Sequence, residues 1–196
     1  MGCSASVAKK SVTDEPVAQT PAPVVSVTPT TLSKDQVASY LTSSAPRLTL
    51  EAADDMASAA IAEAKARGFK DLSCYVLDAA GRTIVSKTMI NCPNLPPKLA
   101  HAKAMLCVST HSNSRALRDK YVPDRTPQLL QMSIVGQDCE QPLAAFPGGV
   151  LLRDSSKNIV GAIGVSGAAA DEDEHCAITG AHAIGLVTEP AASVLS

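Results

Sequence analysis

The sequence has few aromatic residues and no excess of basic charge. Its 196 residues include no Trp, three Tyr and two Phe, and 17 Lys and Arg residues stand against 19 Asp and Glu residues. Domains that bind nucleic acids use a positive surface to contact phosphates and aromatic rings to stack on bases. The composition provides neither, so we expect no nucleic-acid partner.

Long apolar segments and paired cysteine motifs are also missing. No stretch of about 18 apolar residues occurs, which predicts no transmembrane helix. No apolar segment follows the first residues, which argues against a secretory signal. No C-x-x-C motif is present, and because no secretory signal is recognised we expect reduced thiols, with the internal ones packed as small apolar side chains. The cysteines are Cys3, Cys74, Cys92, Cys107, Cys139 and Cys176.

Common catalytic and nucleotide-binding motifs are absent as well. There is no G-x-S-x-G nucleophile motif. The segment GAIGVSG lacks the spacing of G-x-G-x-x-G, and no Lys followed by Ser or Thr makes it a P-loop. The residues alone therefore identify no reaction.

The first residues, MGCSAS, match the signal for myristoylation of Gly2 after removal of Met1. Cys3 is positioned for a second acyl chain, and Lys9 and Lys10 add attraction to anionic lipid. This pattern predicts a protein held at the cytoplasmic face of a membrane in a eukaryotic host. The alternative is an unmodified N terminus and a cytoplasmic protein.

The first 32 residues contain four prolines and no helical or strand periodicity, which predicts a tether without a packed core. Ser33 and Gln36 have the spacing of a capping box, which predicts a short helix. The predicted organisation is a tether at 1–32, a short helix and linker at 33–47, a folded domain at 48–187 and a C-terminal tail at 188–196.

The folded domain shows alternating helix and hairpin patterns. A helix is predicted from Thr49, as N-cap, to Gly68, where a left-handed residue ends it. Alternating residues on both sides of the turn at 78–81 predict a hairpin over 72–89. A proline-rich loop at 91–97 precedes a predicted helix at 98–112. The stretch 115–141 is ambiguous and is expected to mix short helix with loop.

The last third predicts a second hairpin and a final helix. Two apolar segments flank the turn at 155–158, and the second places Val160, Ala162, Gly164 and Ser166 on one nearly bare face. Glycine in a strand suggests close approach of a helix, a subunit or a ligand. The acidic residues at 171–174 suit a helix N-terminus better than a cation site. Together these elements predict an α/β layered domain with a mostly antiparallel sheet.

Candidate metal ligands lie on the middle helix. Cys107 and His111 are four residues apart and therefore share a helix face with Lys103, and His101 lies on the same helix. No third ligand is fixed by spacing, so a zinc site is poorly supported. A porphyrin needs only one or two axial ligands and an apolar slot. Solvated or hydrogen-bonded histidines are the ordinary alternative.

Several segments together resemble the GlcG/HbpS family, which includes the C-terminal domain of PduO-type proteins. They are LTLEAADDMASAAIAEAKARGF, YVLDAAGR, AHAKA, FPGGVLL and IVGAIGVSGAAADEDEHCA. The resemblance implies a five-stranded antiparallel sheet between helices and homo-oligomers, dimers or higher. It also implies haem binding linked to iron release or redox sensing in some members, and a place in glycolate or corrinoid metabolism in others.

The residues that match the family are Asp78, Gly81, Lys103, Ala104, Pro147, Gly148, Gly149, Gly161, Gly164, Ser166, Gly167 and Asp173. The chain departs from the family at 103–107, where K-A-R-T-A is replaced by K-A-M-L-C. The leading hypothesis is binding of haem or a related tetrapyrrole, with His111 and Cys107, or His101, as iron ligands. The alternatives are a carboxylate site formed by Lys103 and the backbone of 147–149, which would serve an enzyme or accessory protein, and a non-catalytic oligomeric scaffold.

Overall fold

The first helix, α1 (Leu50–Arg67), begins and ends as predicted. The Thr49 hydroxyl accepts a hydrogen bond from the Ala52 amide at 3.2 Å, and Gly68 adopts a left-handed conformation with φ of 68°. These features belong to a computed structural model that describes residues 46–195. The predicted tether, the acylation signal and the short helix after Ser33 lie outside the described residues.

Both predicted hairpins are present. The first joins β1 (Ser73–Asp78) to β2 (Thr83–Thr88), and the second joins β3 (Gly149–Arg153) to β4 (Ile159–Ser166). In the first turn the Asp78 carboxylate accepts hydrogen bonds from the amides of residues 80 and 82, both at 2.9 Å. This side chain stabilises the turn that the sequence predicts.

A fifth strand, β5 (Val187–Glu189), pairs with β3 and completes the sheet in the order β2-β1-β4-β3-β5. Every neighbouring pair is antiparallel. The five-stranded antiparallel sheet that the resemblance implies is therefore confirmed. Residue periodicity predicts only four of the strands, and the fifth lies where the sequence analysis ends the domain.

Helices cover both faces of the sheet. On one face α1 packs with α5 (Ala170–Ala183), and on the other face lies α2 (Leu95–Thr110). Within the described residues no helix combines the length and the apolar character that a bilayer crossing requires. The core beneath α1 and α5 uses mainly small residues on the helices, namely Ala53, Met56, Ala57, Ala60, Ala64, Cys176, Ala177, Ile178 and Ala181.

The bare face of β4 receives α2, as expected for a glycine-rich strand. A Cβ atom added at Gly164 would lie 2.0 Å from the carbonyl oxygen of Ala100 on that helix. One part of the predicted face is wrong, however. Val160 packs under α1 and α5, whereas Ile159 packs toward α2, because the pairing of β3 and β4 shifts register beside Arg153.

The ambiguous stretch forms two helices, α3 (Ser114–Tyr121) and α4 (Thr126–Asp138). The predicted proline-rich loop is shorter than expected, because Pro96 and Pro97 occupy the first turn of α2. Proline is favoured there since that turn leaves its amides unpaired within the helix. In this way α2 gains a turn at its start, which brings its N-terminal half alongside β1.

Candidate functional site

The predicted site residues point in different directions from α2. Lys103 and Cys107 are buried against the sheet, with 3% and 0% of their surfaces exposed. His101 is half-buried, and His111 lies exposed just after the helix as its left-handed C-cap, with φ of 52°. The structure therefore separates these four residues into a buried pair and two surface positions.

Lys103 is held by a buried ion pair. Its Nζ atom donates hydrogen bonds to Asp173 Oδ2 and to the Val165 carbonyl oxygen, both at 2.8 Å. Burial lowers the pKa of Lys103 and raises the pKa of Asp173 to about 6, while each charge opposes the shift of the other. The ammonium group thus already has a carboxylate partner from the protein itself.

The Pro147–Gly149 segment allows α2 and α5 to approach the end of β3. A Cβ atom at Gly148 would lie 2.8 Å from Lys103 Nζ, and one at Gly149 would lie 2.6 Å from the Lys103 carbonyl oxygen. The Gly149 amide donates to Ser114 Oγ at 2.9 Å. Close packing and an internal hydrogen bond therefore account for these glycines, and the Gly149 amide does not face an open anion site.

Cys107 and His111 differ in accessibility. The Cys107 thiol is enclosed beside Gly149, and burial raises its pKa, which favours the protonated form over the thiolate that binds metals. The His111 side chain lies at the surface. A shared ligand pair stays a prediction, and it would require the thiol to leave the core.

His101 lines an open cleft of about 480 Å³ between α2 and the first hairpin. Its ring contacts that of Tyr75 edge to face, with centroids 5.4 Å apart. Burial lowers the pKa of His101, and no hydrogen bond or charge from another described residue contributes to the shift. Burial therefore favours the neutral form of the imidazole. The cleft is lined by Tyr75, Thr83, Pro97, Lys98, His101 and Pro142.

Some of the residues that line this cleft could be predicted from sequence patterns. Lys98 lies three residues before His101, so helical spacing alone places both on one side of α2. Strand alternation places Tyr75 on the face opposite to Cys74, although no local signal indicates that this face meets His101. Pro142 reaches the cleft from the segment after α4, and the sequence gives no sign of this contact.

The acidic residues at the start of α5 cap the helix, as predicted, and they also form ion pairs that the sequence did not predict. Glu172 accepts a hydrogen bond from the Ala169 amide at 2.9 Å. Arg115 donates to both carboxylate oxygens of Glu174, at 2.9 and 3.0 Å. Among residues 46–195, no three His, Cys, Asp or Glu side chains converge as a metal-binding group.

Comparison with known proteins identifies related folds. Residues 48–182 match the family model described as haem degrading protein HbpS-like. A double mutant of HbpS from Streptomyces reticuli is 28% identical, with a TM-score of 0.61 over 82% of this chain and 99% of that chain. No curated protein matches the sequence.

Two more distant structures share the fold. A PduOC–haem complex is 21% identical, with a TM-score of 0.62 over 72% of this chain and 97% of that chain. The ORFY protein of Klebsiella pneumoniae is 22% identical, with a TM-score of 0.61 over 74% and 95%. The family model covers more than half of the sequence. The chain therefore belongs to the HbpS-like family of haem-degrading proteins.

Proposed function

We propose that the protein binds haem or a related tetrapyrrole in the cleft beside His101. The observation that carries the proposal is the position of this imidazole, which lines an open cleft and has no charged partner among residues 46–195 that shifts its pKa. A neutral imidazole is the form that ligates haem iron. Membership of the HbpS-like family supports haem as the ligand.

The surroundings of His101 suit the other parts of a porphyrin. Pro97, Pro142 and the Tyr75 ring provide apolar surface for the macrocycle, and the exposed Lys98 provides a cation for a propionate. Haem, when bound, supplies an iron centre able to take up ligands and electrons. In this proposal His101 would hold the haem iron through an imidazole nitrogen, and Lys98 would hold a propionate through its ammonium group.

A haemin titration of the purified full chain tests the assignment. We expect a shifted Soret band with the wild type, and at least a tenfold loss of affinity in His101→Ala because the axial nitrogen is removed. The matched control is His111→Ala, which deletes an exposed imidazole from the end of the same helix. Wild-type binding by His101→Ala, or a loss confined to His111→Ala, would contradict the proposal.

We also propose that acyl groups on Gly2 and Cys3 hold the domain at the cytoplasmic face of a membrane in a eukaryotic cell. A single myristoyl chain gives a binding constant of only about 10⁴ M⁻¹, so stable anchoring requires the second chain. Gly2→Ala should move the protein into the soluble fraction of lysed cells, and Cys3→Ser should do so partly. Membrane association that persists in Gly2→Ala would refute the tether.

The resemblance further leads us to propose a homo-oligomer, a dimer or higher. This property is separable from haem binding, because the His101 cleft is formed by a single chain. Light scattering of the purified protein should give at least twice the mass of 20.2 kDa. A monomeric mass throughout the micromolar range would contradict it.

A further inference from the structure

An uncharged cleft of about 550 Å³ lies between the C-terminal half of α2 and α4, away from His101. Half-buried Met132 and Leu143 give it apolar surface, and exposed Val135 lies at its rim together with hydroxyl and amide side chains. Among the described residues, no Asp, Glu, Lys, Arg or His lines it. The lining residues are Ser109, Thr110, Gln128, Gln131, Met132, Val135, Gly136, Cys139, Gln141 and Leu143.

A smaller cleft of about 220 Å³ shares Ser109 and Gln141 with the first. It ends at the backbone of the turn at 79–81, and Met105 and Val108 of α2 also line it. In the part of the chain that the structure describes, no Asp, Glu, Lys, Arg or His lines this smaller cleft either. The two clefts therefore lie side by side, and we call them together the uncharged groove, with a polar end at the turn and an apolar end beside α4.

The absence of charge separates this groove from the other large clefts of residues 46–195. The His101 cleft contains Lys98, and the cleft beside β2 contains Lys65, Asp71 and Lys87. The rim of the groove also exposes apolar surface, because Val135 is 62% exposed. Its lining therefore offers apolar contact and neutral hydrogen-bonding groups, and no counter-ion for a charged ligand.

We propose that this groove binds an uncharged amphiphile, with an alkyl chain in the apolar end and a hydroxyl- or amide-bearing head group at the turn. An extended chain would reach from one cleft into the other, and burial of apolar surface would drive its binding. A carboxylate or ammonium head would lose its hydration without gaining an opposite charge. The groove thus selects neutral head groups over charged ones of equal chain length.

The test uses three probes with the same 12-carbon chain, 1-dodecanoylglycerol, dodecanoate and dodecylammonium. Each is titrated calorimetrically into the full chain below its micelle concentration. We expect dodecanoylglycerol to bind at least tenfold more tightly than either charged probe. Equal affinities for the three probes, or no heat with dodecanoylglycerol, would overturn the proposal.

Substitutions in the groove test whether dodecanoylglycerol binds there. Val135→Asp and Ser109→Asp add a charge to the groove at exposed positions, and each should weaken dodecanoylglycerol binding at least tenfold. The matched control, Ile90→Asp, adds the same charge at a residue that is 95% exposed outside the groove, and it should bind like the wild type.

Val135→Asp should leave the affinity for haemin unchanged, because Val135 lies outside the His101 cleft. This measurement distinguishes the groove from that cleft. If Val135→Asp instead lowers the mass of the protein in solution and the wild type binds no dodecanoylglycerol, a second copy occupies the groove. That outcome would overturn the proposal.

Discussion

Replacing Lys103 with methionine tests the buried ion pair most sharply. Methionine has a similar length and no charge, so the substitution keeps much of the volume and removes the donor to Asp173. The carboxylate is 4% exposed and would keep only the hydrogen bond from the Ala168 amide, at 3.0 Å. Lys103→Met therefore leaves a buried charge without its partner.

The expected cost is large. Removing one member of a buried ion pair destabilises a protein by about 3–5 kcal/mol. For a domain of this size, 1 kcal/mol corresponds to a change in melting temperature of about 2–4 °C. We expect the melting temperature of Lys103→Met to fall by roughly 6–20 °C at pH 8.

The pH dependence has a defined sign. Burial raises the pKa of Asp173 to about 6 in the native state, above its value in the unfolded chain, so stability falls as pH rises through that interval. Loss of the Lys103 charge raises this pKa further. Each added pKa unit makes the destabilisation at pH 8 exceed that at pH 5 by about 1.4 kcal/mol.

Urea unfolding followed by circular dichroism measures these effects, since the chain contains no Trp for fluorescence. Adding Asp173→Asn to Lys103→Met should restore part of the lost stability, because it removes the unpaired charge and keeps an oxygen for the Ala168 amide. An unchanged midpoint in Lys103→Met would refute the reasoning. A double variant less stable than Lys103→Met would refute it as well.

Two further substitutions test the packing of the helices on the sheet. Gly164→Ala should cost about 3 kcal/mol or more, because the new methyl group meets the backbone oxygen of Ala100, and a wild-type melting temperature would contradict the contact. Arg115→Met should cost about 3–5 kcal/mol, because Glu174 is fully buried and would lose its cation. The control, Arg118→Met, breaks the exposed ion pair with Asp119 and should cost at most about 1 kcal/mol. Equal losses of stability in the two variants would contradict the argument that burial makes the Arg115 pair stronger.

Local signals predict much of the fold. Thr49 and Gly68 are recognisable caps because each role depends on the chemistry of one residue and its immediate neighbours. The turn at Asp78 is predictable for the same reason. Strand β5 is not, because it has three residues and its pairing depends on the edge that β3 presents.

The features that the sequence does not predict depend on contacts between residues that are far apart in the chain. Lys103 and Asp173 are 70 residues apart, and no spacing rule joins them. Ile159 and Val160 lie on the faces opposite to those predicted, because the register of β4 against β3 shifts there. A prediction from strict alternation contains no such shift. His101 is predictable as a candidate because it shares a helix with Cys107, but the lowering of its pKa depends on burial by its neighbours in the fold.

We propose that His101 ligates the iron of bound haem, and an iron anomalous difference map from crystals grown with haem would locate that iron. We expect a single iron peak within coordination distance of an imidazole nitrogen of His101, with the propionates directed toward Lys98. An iron peak beside His111, or one remote from the cleft that contains Tyr75, would contradict it.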